Sequence, residues 1–154
     1  MLFSVILGSK LLVEYKLLEM WKEESNLEIQ SKIDLSGLDL TKLHNNHYFS
    51  FFEEVNLGAN QLENSLCQLS TLQRCAKLSL SSNGLTSLKR FPTLYELEVL
   101  SLRNNKLMST KEIVNLIKRH KNLRRLDLRN NPVCEEIDIA EIQDISSQVE
   151  VCLK

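Results

Sequence analysis

Apolar residues recur along this chain in a fixed pattern, L-x-x-L-x-L-x-x-N-x-L, in which one asparagine stands among the apolar positions. Four copies fit closely; they begin at Phe52, Cys75, Leu97 and Leu123 and end at Leu62, Leu85, Leu107 and Val133. A weaker first copy has Ile33, Leu35 and Leu40 in register, with Gln30 at the first apolar position and Leu38 at the asparagine position. The chain therefore contains five copies of one repeat.

The spacing of the copies predicts the fold class. Counted from residue 38, the asparagine position recurs at 60, 83, 105 and 131, in steps of 22, 23, 22 and 26 residues, which is typical of leucine-rich repeats. Each copy predicts a short strand whose apolar residues, such as Leu100 and Leu102, point inward while the residues between them point outward. We expect an α/β leucine-rich-repeat solenoid of about five repeats, with a curved parallel sheet.

The segments between the strands predict the opposite, convex side. Leu66, Leu69 and Leu72 favour a short helical turn after the second repeat, and Phe91-Pro92 favours a tighter connection after the third. In the 26-residue step, Ser109 and Glu112 have the spacing of a capping box. The apolar residues that follow, Ile113, Leu116 and Ile117, then predict a helix that runs toward His120.

The repeated asparagines predict a structural role. At this spacing, the side chains of Asn60, Asn83, Asn105 and Asn131 turn inward and bond loop backbone groups that would otherwise be buried unpaired. We therefore expect a structural asparagine ladder and not a polar active site.

The chain divides into three predicted regions: an N-terminal apolar helix and lead-in over residues 1–29, five repeats over 30–134, and a C-terminal cap over 135–154. The cap carries an apolar series that can close the last repeat: Ile139, Ile142, Ile145, Val149, Val151 and Leu153. In the N-terminal helix, apolar residues surround most sides of 11–21, which predicts burial on two sides. We expect a further helix to pack there, from a partner subunit or from a larger protein of which this chain is the C-terminal part.

Composition and charge narrow the functional classes. The chain has 154 residues, 25% charged and 43% hydrophobic, and its net charge of −1 gives no overall attraction to nucleic acid or to an anionic membrane. The apolar N-terminus is interrupted by Lys10, Glu14 and Lys16, so it predicts neither a membrane span nor an export signal. We predict a cytoplasmic protein whose four cysteines are reduced core thiols.

Candidate chemistry is sparse. His44 and His47, in HNNH, lack nearby residues that would complete a metal site, so a solvated loop is favoured. His120, in KRHK, is interpreted as part of a charged helix end. The sequence has no serine-hydrolase elbow, phosphate-binding glycine loop or zinc-protease motif, and we predict no catalytic residue, metal or cofactor in this chain.

The outward positions of the sheet are the predicted partner-binding surface. They are Asp34, Glu54, Asn56, Lys77, Ser79, Ser101, Arg103, Arg125, Asp127 and Arg129. The middle of this row is small and polar, without the aromatic anchors that dominate tight interfaces. Arg103, Arg125 and Arg129 favour an acidic patch on a protein or an RNA backbone, with a merely solvated surface as the structural alternative.

Several segments together resemble one family. They are an apolar helix containing SKLL, the degenerate repeat IDLSGLDLTKL, the repeats VNLGANQL, LSLSSNGL, LSLRNNKL and LDLRNNPVC, and the ending ISSQVEVCL. From about Ser9 onward, this order is similar to the C-terminal leucine-rich-repeat region of the alpha subunit of Rab geranylgeranyltransferase, the type II protein prenyltransferase.

The resemblance implies a non-catalytic part of a complex that attaches geranylgeranyl groups to Rab proteins. Its implied partners are the prenyltransferase beta subunit, which holds the zinc ion and the lipid pocket, the Rab escort protein and Rab. Nucleic acid is an unlikely partner on this interpretation. The alternative is a stand-alone leucine-rich-repeat scaffold of the nuclear or spliceosomal type, which agrees better with the basic residues but does not explain the apolar N-terminal helix.

Overall fold

The computed structural model describes residues 31–43 and 47–154. In these residues six short strands form one sheet: β1 Lys32–Asp34, β2 Glu54–Asn56, β3 Lys77–Ser79, β4 Val99–Ser101, β5 Arg125–Asp127 and β6 Glu150–Cys152. The strands lie in chain order and every neighbouring pair is parallel. The predicted leucine-rich-repeat solenoid with a curved parallel sheet is confirmed, and the predicted C-terminal cap region contributes the sixth strand.

The register of the sheet separates core from surface. The central residue of each strand lies beside the central residue of the next, giving the row Ile33, Val55, Leu78, Leu100, Leu126 and Val151. All but Val151 are buried. Because strand side chains alternate, the first and third residues of each strand point to the concave face.

The convex side is built from short, varied segments. Among the described residues these are 3-10 helices at His47–Phe51, Leu66–Thr71 and Pro132–Glu135, and two helices, α1 Thr110–Arg119 and α2 Ile139–Ile145. The helix predicted in the 26-residue step is α1, and its apolar face, Ile113, Leu116 and Ile117, is buried. The extra residues of that repeat are therefore helical.

The capping box predicted at the start of α1 is only half formed. The Ser109 hydroxyl accepts a hydrogen bond from the Glu112 backbone N–H at 3.3 Å, as an N-cap does. The Glu112 carboxylate does not return to Ser109. It accepts instead from the Leu88 N–H at 2.6 Å and the Ser87 hydroxyl at 2.9 Å, so it fastens the helix to the preceding repeat.

Each repeat asparagine joins two repeats. The Asn105 side-chain oxygen accepts from the N–H groups of Asn83 and Leu85, both at 3.0 Å. Its amide nitrogen donates to the carbonyls of Leu80 at 3.0 Å and Leu102 at 2.8 Å. Asn60, Asn83 and Asn131 bond to backbone groups in the same way. The first repeat has Leu38 at this position. The backbone N–H of Leu38 donates a hydrogen bond to the side-chain oxygen of Asn60.

In every repeat the residue before the asparagine position adopts the left-handed backbone conformation, with a positive φ. The residues are Gly37, Ala59, Ser82, Asn104 and Asn130, with φ between 53° and 66°. In the first four, the N–H donates to a carbonyl of the next repeat at 2.8–3.0 Å. The turn therefore extends the backbone ladder beyond the strands, and it requires a conformation that costs a non-glycine residue about 1–2 kcal/mol.

The N-terminal predictions fall on residues that the structure does not describe. The apolar helix predicted in residues 1–29 lies outside the described residues, as do His44 and the side chain of His47. In the predicted C-terminal cap, Ile142 and Val149 are buried, while Ile145, Val151 and Leu153 pack partly buried against the core.

His120 corrects the sequence interpretation. It caps the end of α1 after Lys118 and Arg119, as expected, but its side chain is buried and is not part of the solvated charged surface. Its ring nitrogens lie 2.7 Å from the Leu116 carbonyl and 3.2 Å from the Leu94 N–H, and its ring contacts Phe91 at 5.5 Å between centroids. An imidazole that donates at Nδ1 and accepts at Nε2 is neutral. Burial lowers the pKa of His120.

The cysteines also differ from the prediction of four core thiols. All four are free, but only Cys75 is buried; Cys67 is exposed, and Cys134 and Cys152 are half-buried. Burial raises the pKa of the Cys75 thiol to about 12, so this thiol stays protonated and unreactive.

Candidate functional site

The concave face presents two columns of side chains in register. The first runs Lys32, Glu54, Lys77, Val99, Arg125 and Glu150, and the second runs Asp34, Asn56, Ser79, Ser101, Asp127 and Cys152. Each column takes one residue from each strand, so the parallel register fixes the distance between neighbours at one strand spacing. This places charged and hydroxyl groups of successive repeats side by side.

An open groove of about 490 Å³ crosses the first four strands. Its lining includes six of the predicted partner-binding residues: Asp34, Glu54, Asn56, Lys77, Ser79 and Ser101. The other four, Arg103, Arg125, Asp127 and Arg129, lie beyond it toward the last repeats. Lys32 and Val99 also line the groove; their outward strand positions are evident from the sequence, although they are not among the ten predicted partner-binding residues.

One end of the groove is a ladder of alternating charge. The Glu54 carboxylate lies 3.0 Å from the Lys32 ammonium and 2.7 Å from that of Lys77. Hydrogen bonds from Lys77 and Lys32 lower the pKa of Glu54, and Glu54 raises the pKa of Lys77. Both lysines remain exposed, and with the carboxylate of Asp34, which also lines this end, the charges balance.

The centre of the face is neutral and lined by small side chains. The Ser81 hydroxyl lies 2.8 Å from that of Ser101 and 3.3 Å from that of Ser79. Gly58 is buried beside them, and a Cβ there would lie 3.2 Å from the Asn56 side-chain oxygen. The backbone at the centre is therefore approachable, because the side chains above it are short.

At the basic end, two of the three predicted arginines form ion pairs. Arg129 donates to both Asp127 oxygens, at 2.9 and 2.6 Å, and Arg125 lies 3.2 Å from Glu150. The bonds from Arg129 lower the pKa of Asp127. Across the described residues Arg103 forms no ion pair, although its charge acts on Asp127 and helps to lower the pKa of that carboxyl.

Neither a metal-binding cluster nor a membrane-spanning helix is present in the described residues. They hold no group of three or more histidine, cysteine or acidic side chains placed to bind a metal ion. Nor does any helix in the described ranges have the length and apolar composition needed to cross a membrane.

The comparisons with known proteins agree with the repeat architecture. A family model described as Leucine Rich Repeat matches residues 122–144, and no curated protein matches the chain. Among solved structures, an LRR protein of Leptospira interrogans is 30% identical over 66% of this chain, with a TM-score of 0.50. Internalin C2 of Listeria monocytogenes is 18% identical over 67% of this chain, with a TM-score of 0.42. The chain spans 25% of the Leptospira protein and 62% of the internalin.

Proposed function

We propose that this leucine-rich-repeat protein, a protein-interaction module, binds a segment of another protein along its concave face. The observation that carries the proposal is the combination of an open groove with a cation beyond it, Arg103, that forms no ion pair in the described residues. Ser79, Ser101 and Val99 give the groove short side chains, and Arg103 follows Ser101 by two residues. A partner chain can therefore approach the sheet closely while presenting one acidic group to Arg103.

The other charges on the face contribute orientation more than affinity. Lys32, Glu54 and Lys77 already satisfy one another, as do Arg129 and Asp127. Exposed pairs of this kind gain only about 0–1 kcal/mol, and a partner that disrupts them must replace their hydrogen bonds. We infer that they hold the rims of the groove in place and exclude partners of the wrong charge pattern.

Charge reversal at Arg103 tests this proposal. Affinity capture of partner proteins from cell lysate by the wild-type chain is compared with capture by Arg103→Glu and by Lys106→Glu, an exposed lysine outside the concave face. We expect Arg103→Glu to lose a discrete partner that Lys106→Glu retains. Equal capture by Arg103→Glu and the wild type would exclude Arg103 from the binding surface.

The identity of the larger complex is a separate proposal. We infer from the sequence resemblance that the chain belongs to the alpha subunit of a Rab geranylgeranyltransferase and acts in the cytoplasm. On this view zinc and lipid are held by the beta subunit. Neither of the two solved structures named above is described as a prenyltransferase subunit, so the proposal rests on the segments from SKLL to ISSQVEVCL. Co-expression with a beta subunit tests it: co-purification supports the assignment, and its failure favours a stand-alone scaffold.

A further inference from the structure

A second concavity lies on the opposite side of the molecule, between helix α1 and the connection that follows β3. This convex cleft has a volume of about 360 Å³ and is lined by Leu88, Lys89, Glu112, Asn115, Lys118 and Arg119. Three lining residues are cations and one is a carboxylate, so the cleft carries a net charge of +2 at neutral pH. A recess lined by one sign of charge concentrates the field and attracts the opposite charge.

The one carboxylate of the convex cleft, that of Glu112, accepts hydrogen bonds from the preceding repeat. Glu112 accepts hydrogen bonds from the Leu88 N–H and the Ser87 hydroxyl, and its side chain is only 17% exposed. Lys89 lies at the 4.0 Å limit of an ion pair with it and is 81% exposed. One carboxylate oxygen therefore takes both internal hydrogen bonds, whereas the other faces Lys89 across the cleft.

The cationic side chains are partly held in position. One terminal nitrogen of Arg119 donates to the Phe91 carbonyl at 3.2 Å, which orients the guanidinium and leaves its other donors available. Asn115 and Lys118 lie three residues apart on α1, and side chains at this spacing are neighbours on a helix. An amide, an ammonium and an anchored guanidinium thus line the same recess.

We propose that the convex cleft binds the phosphomonoester of a phosphorylated serine or threonine on a partner protein. A phosphate of this kind carries about −1.5 to −2 charges at pH 7 and three acceptor oxygens, which matches the net charge of the cleft. Arginine pairs with phosphate through two parallel hydrogen bonds. Membranes and nucleic acids are recognised by extended basic surfaces, whereas this site is a single recess. It is separate from the concave face and does not depend on it.

An NMR titration of the intact chain tests the proposal. The probe is a capped peptide of small neutral residues with one central phosphoserine, and its unphosphorylated form is the matched control. We expect the phosphopeptide to shift the amide signals of Lys89, Asn115, Lys118 and Arg119 and to bind at least about tenfold more tightly than the control. The variant Lys118→Glu should lose this binding, while Lys106→Glu, with the same charge change elsewhere, should bind like the wild type.

Three results would overturn the proposal. Equal loss in Lys118→Glu and Lys106→Glu would show a response to net charge alone. Shifts spread over the concave face would place the phosphate elsewhere. Binding to vesicles that contain a phosphoinositide, or to single-stranded RNA, without binding to the phosphopeptide would assign the cleft to another class of ligand. Amide spectra of each variant, recorded without ligand, verify that it is folded.

Discussion

The repeat asparagines show how a single side chain joins neighbouring repeats. Asn105 makes four hydrogen bonds of 3.0 Å or less, two to N–H groups and two to carbonyls. A leucine at this position would leave these groups buried without partners. Each unsatisfied buried group costs about 1–3 kcal/mol, so the asparagine is required by the backbone around it.

Replacing Asn105 should therefore strongly destabilise the fold. We expect Asn105→Leu to lower the free energy of unfolding by at least about 3 kcal/mol. Asn122→Ala is the matched control, because Asn122 is exposed and donates one bond to the Tyr95 carbonyl; it should cost less than about 1 kcal/mol. Urea unfolding followed by circular dichroism measures both, and equal losses would refute the structural role.

The left-handed turn residues predict a stabilising change. Ala59 adopts a φ of 53°, where an alanine is strained by about 1–2 kcal/mol and a glycine is not. The relief exceeds the added entropy of an unfolded glycine, which is about 0.5–1 kcal/mol. Ala59→Gly should therefore raise the free energy of unfolding, whereas Ala76→Gly, outside the left-handed region, should lower it. A loss in both variants would contradict this account of the turn.

His120 makes stability depend on pH in a defined direction. Because its pKa is lowered by burial from an ordinary value of 6.5, the unfolded chain binds a proton at a higher pH than the folded chain does. Stability is therefore fully present above pH 6.5 and falls as the pH drops toward the folded pKa. Protonated Nε2 can no longer accept the Leu94 N–H, which is the bond lost.

The matching experiment compares the wild type with His120→Gln at pH 7.5 and pH 5. We expect the wild type to lose more stability over this interval than the variant, although the variant is less stable at pH 7.5. Glu54 and Asp127 do not interfere, because the stability they lose as the pH falls below their ordinary carboxyl pKa values of 4.5 and 3.8 is the same in both chains. An identical pH response in both chains would show that His120 does not titrate on unfolding.

Helix α1 is held to the preceding repeat by a carboxylate. Glu112 starts the helix beside Ser109 and bonds the Leu88 N–H and the Ser87 hydroxyl. Removing it leaves a partly buried N–H without a partner. We expect Glu112→Ala to lower the free energy of unfolding by about 2 kcal/mol, and Glu141→Ala, an exposed glutamate in α2, to change it by less than about 0.5 kcal/mol. Thermal or urea unfolding of the two variants decides between a structural and a merely solvated carboxylate.

The sequence predicts the elements that belong to the repeat pattern. The leucine and asparagine positions define the strands, their parallel order and the inward rows, and Ile113, Leu116 and Ile117 define α1. His120 could not be placed, because its burial depends on the Phe91 ring and the Leu94 N–H of another repeat. Strand β6 lacks the repeat pattern, so its only signal in the sequence is the alternation of Val149, Val151 and Leu153.

At the scale of the whole molecule, the two faces differ in how far the sequence reveals them. Strand alternation identifies the first and third residues of each strand as outward, yet it gives no account of which charges pair. Arg125 and Arg129 are engaged by Glu150 and Asp127, and Glu150 comes from a strand that the repeat pattern does not include. The convex cleft escaped sequence analysis because Lys89 and α1 meet only when the repeats stack.

The central claim is that the concave face is the surface that binds a protein partner. A photo-crosslinking amino acid at Ser101, in the centre of that face, tests it most directly, with the same amino acid at exposed Gln61 as the control. Cross-linking in cell lysate should give a discrete protein adduct from position 101, absent from position 61 and suppressed by Arg103→Glu. An adduct of the same partner from position 61, with none from position 101, would contradict the account.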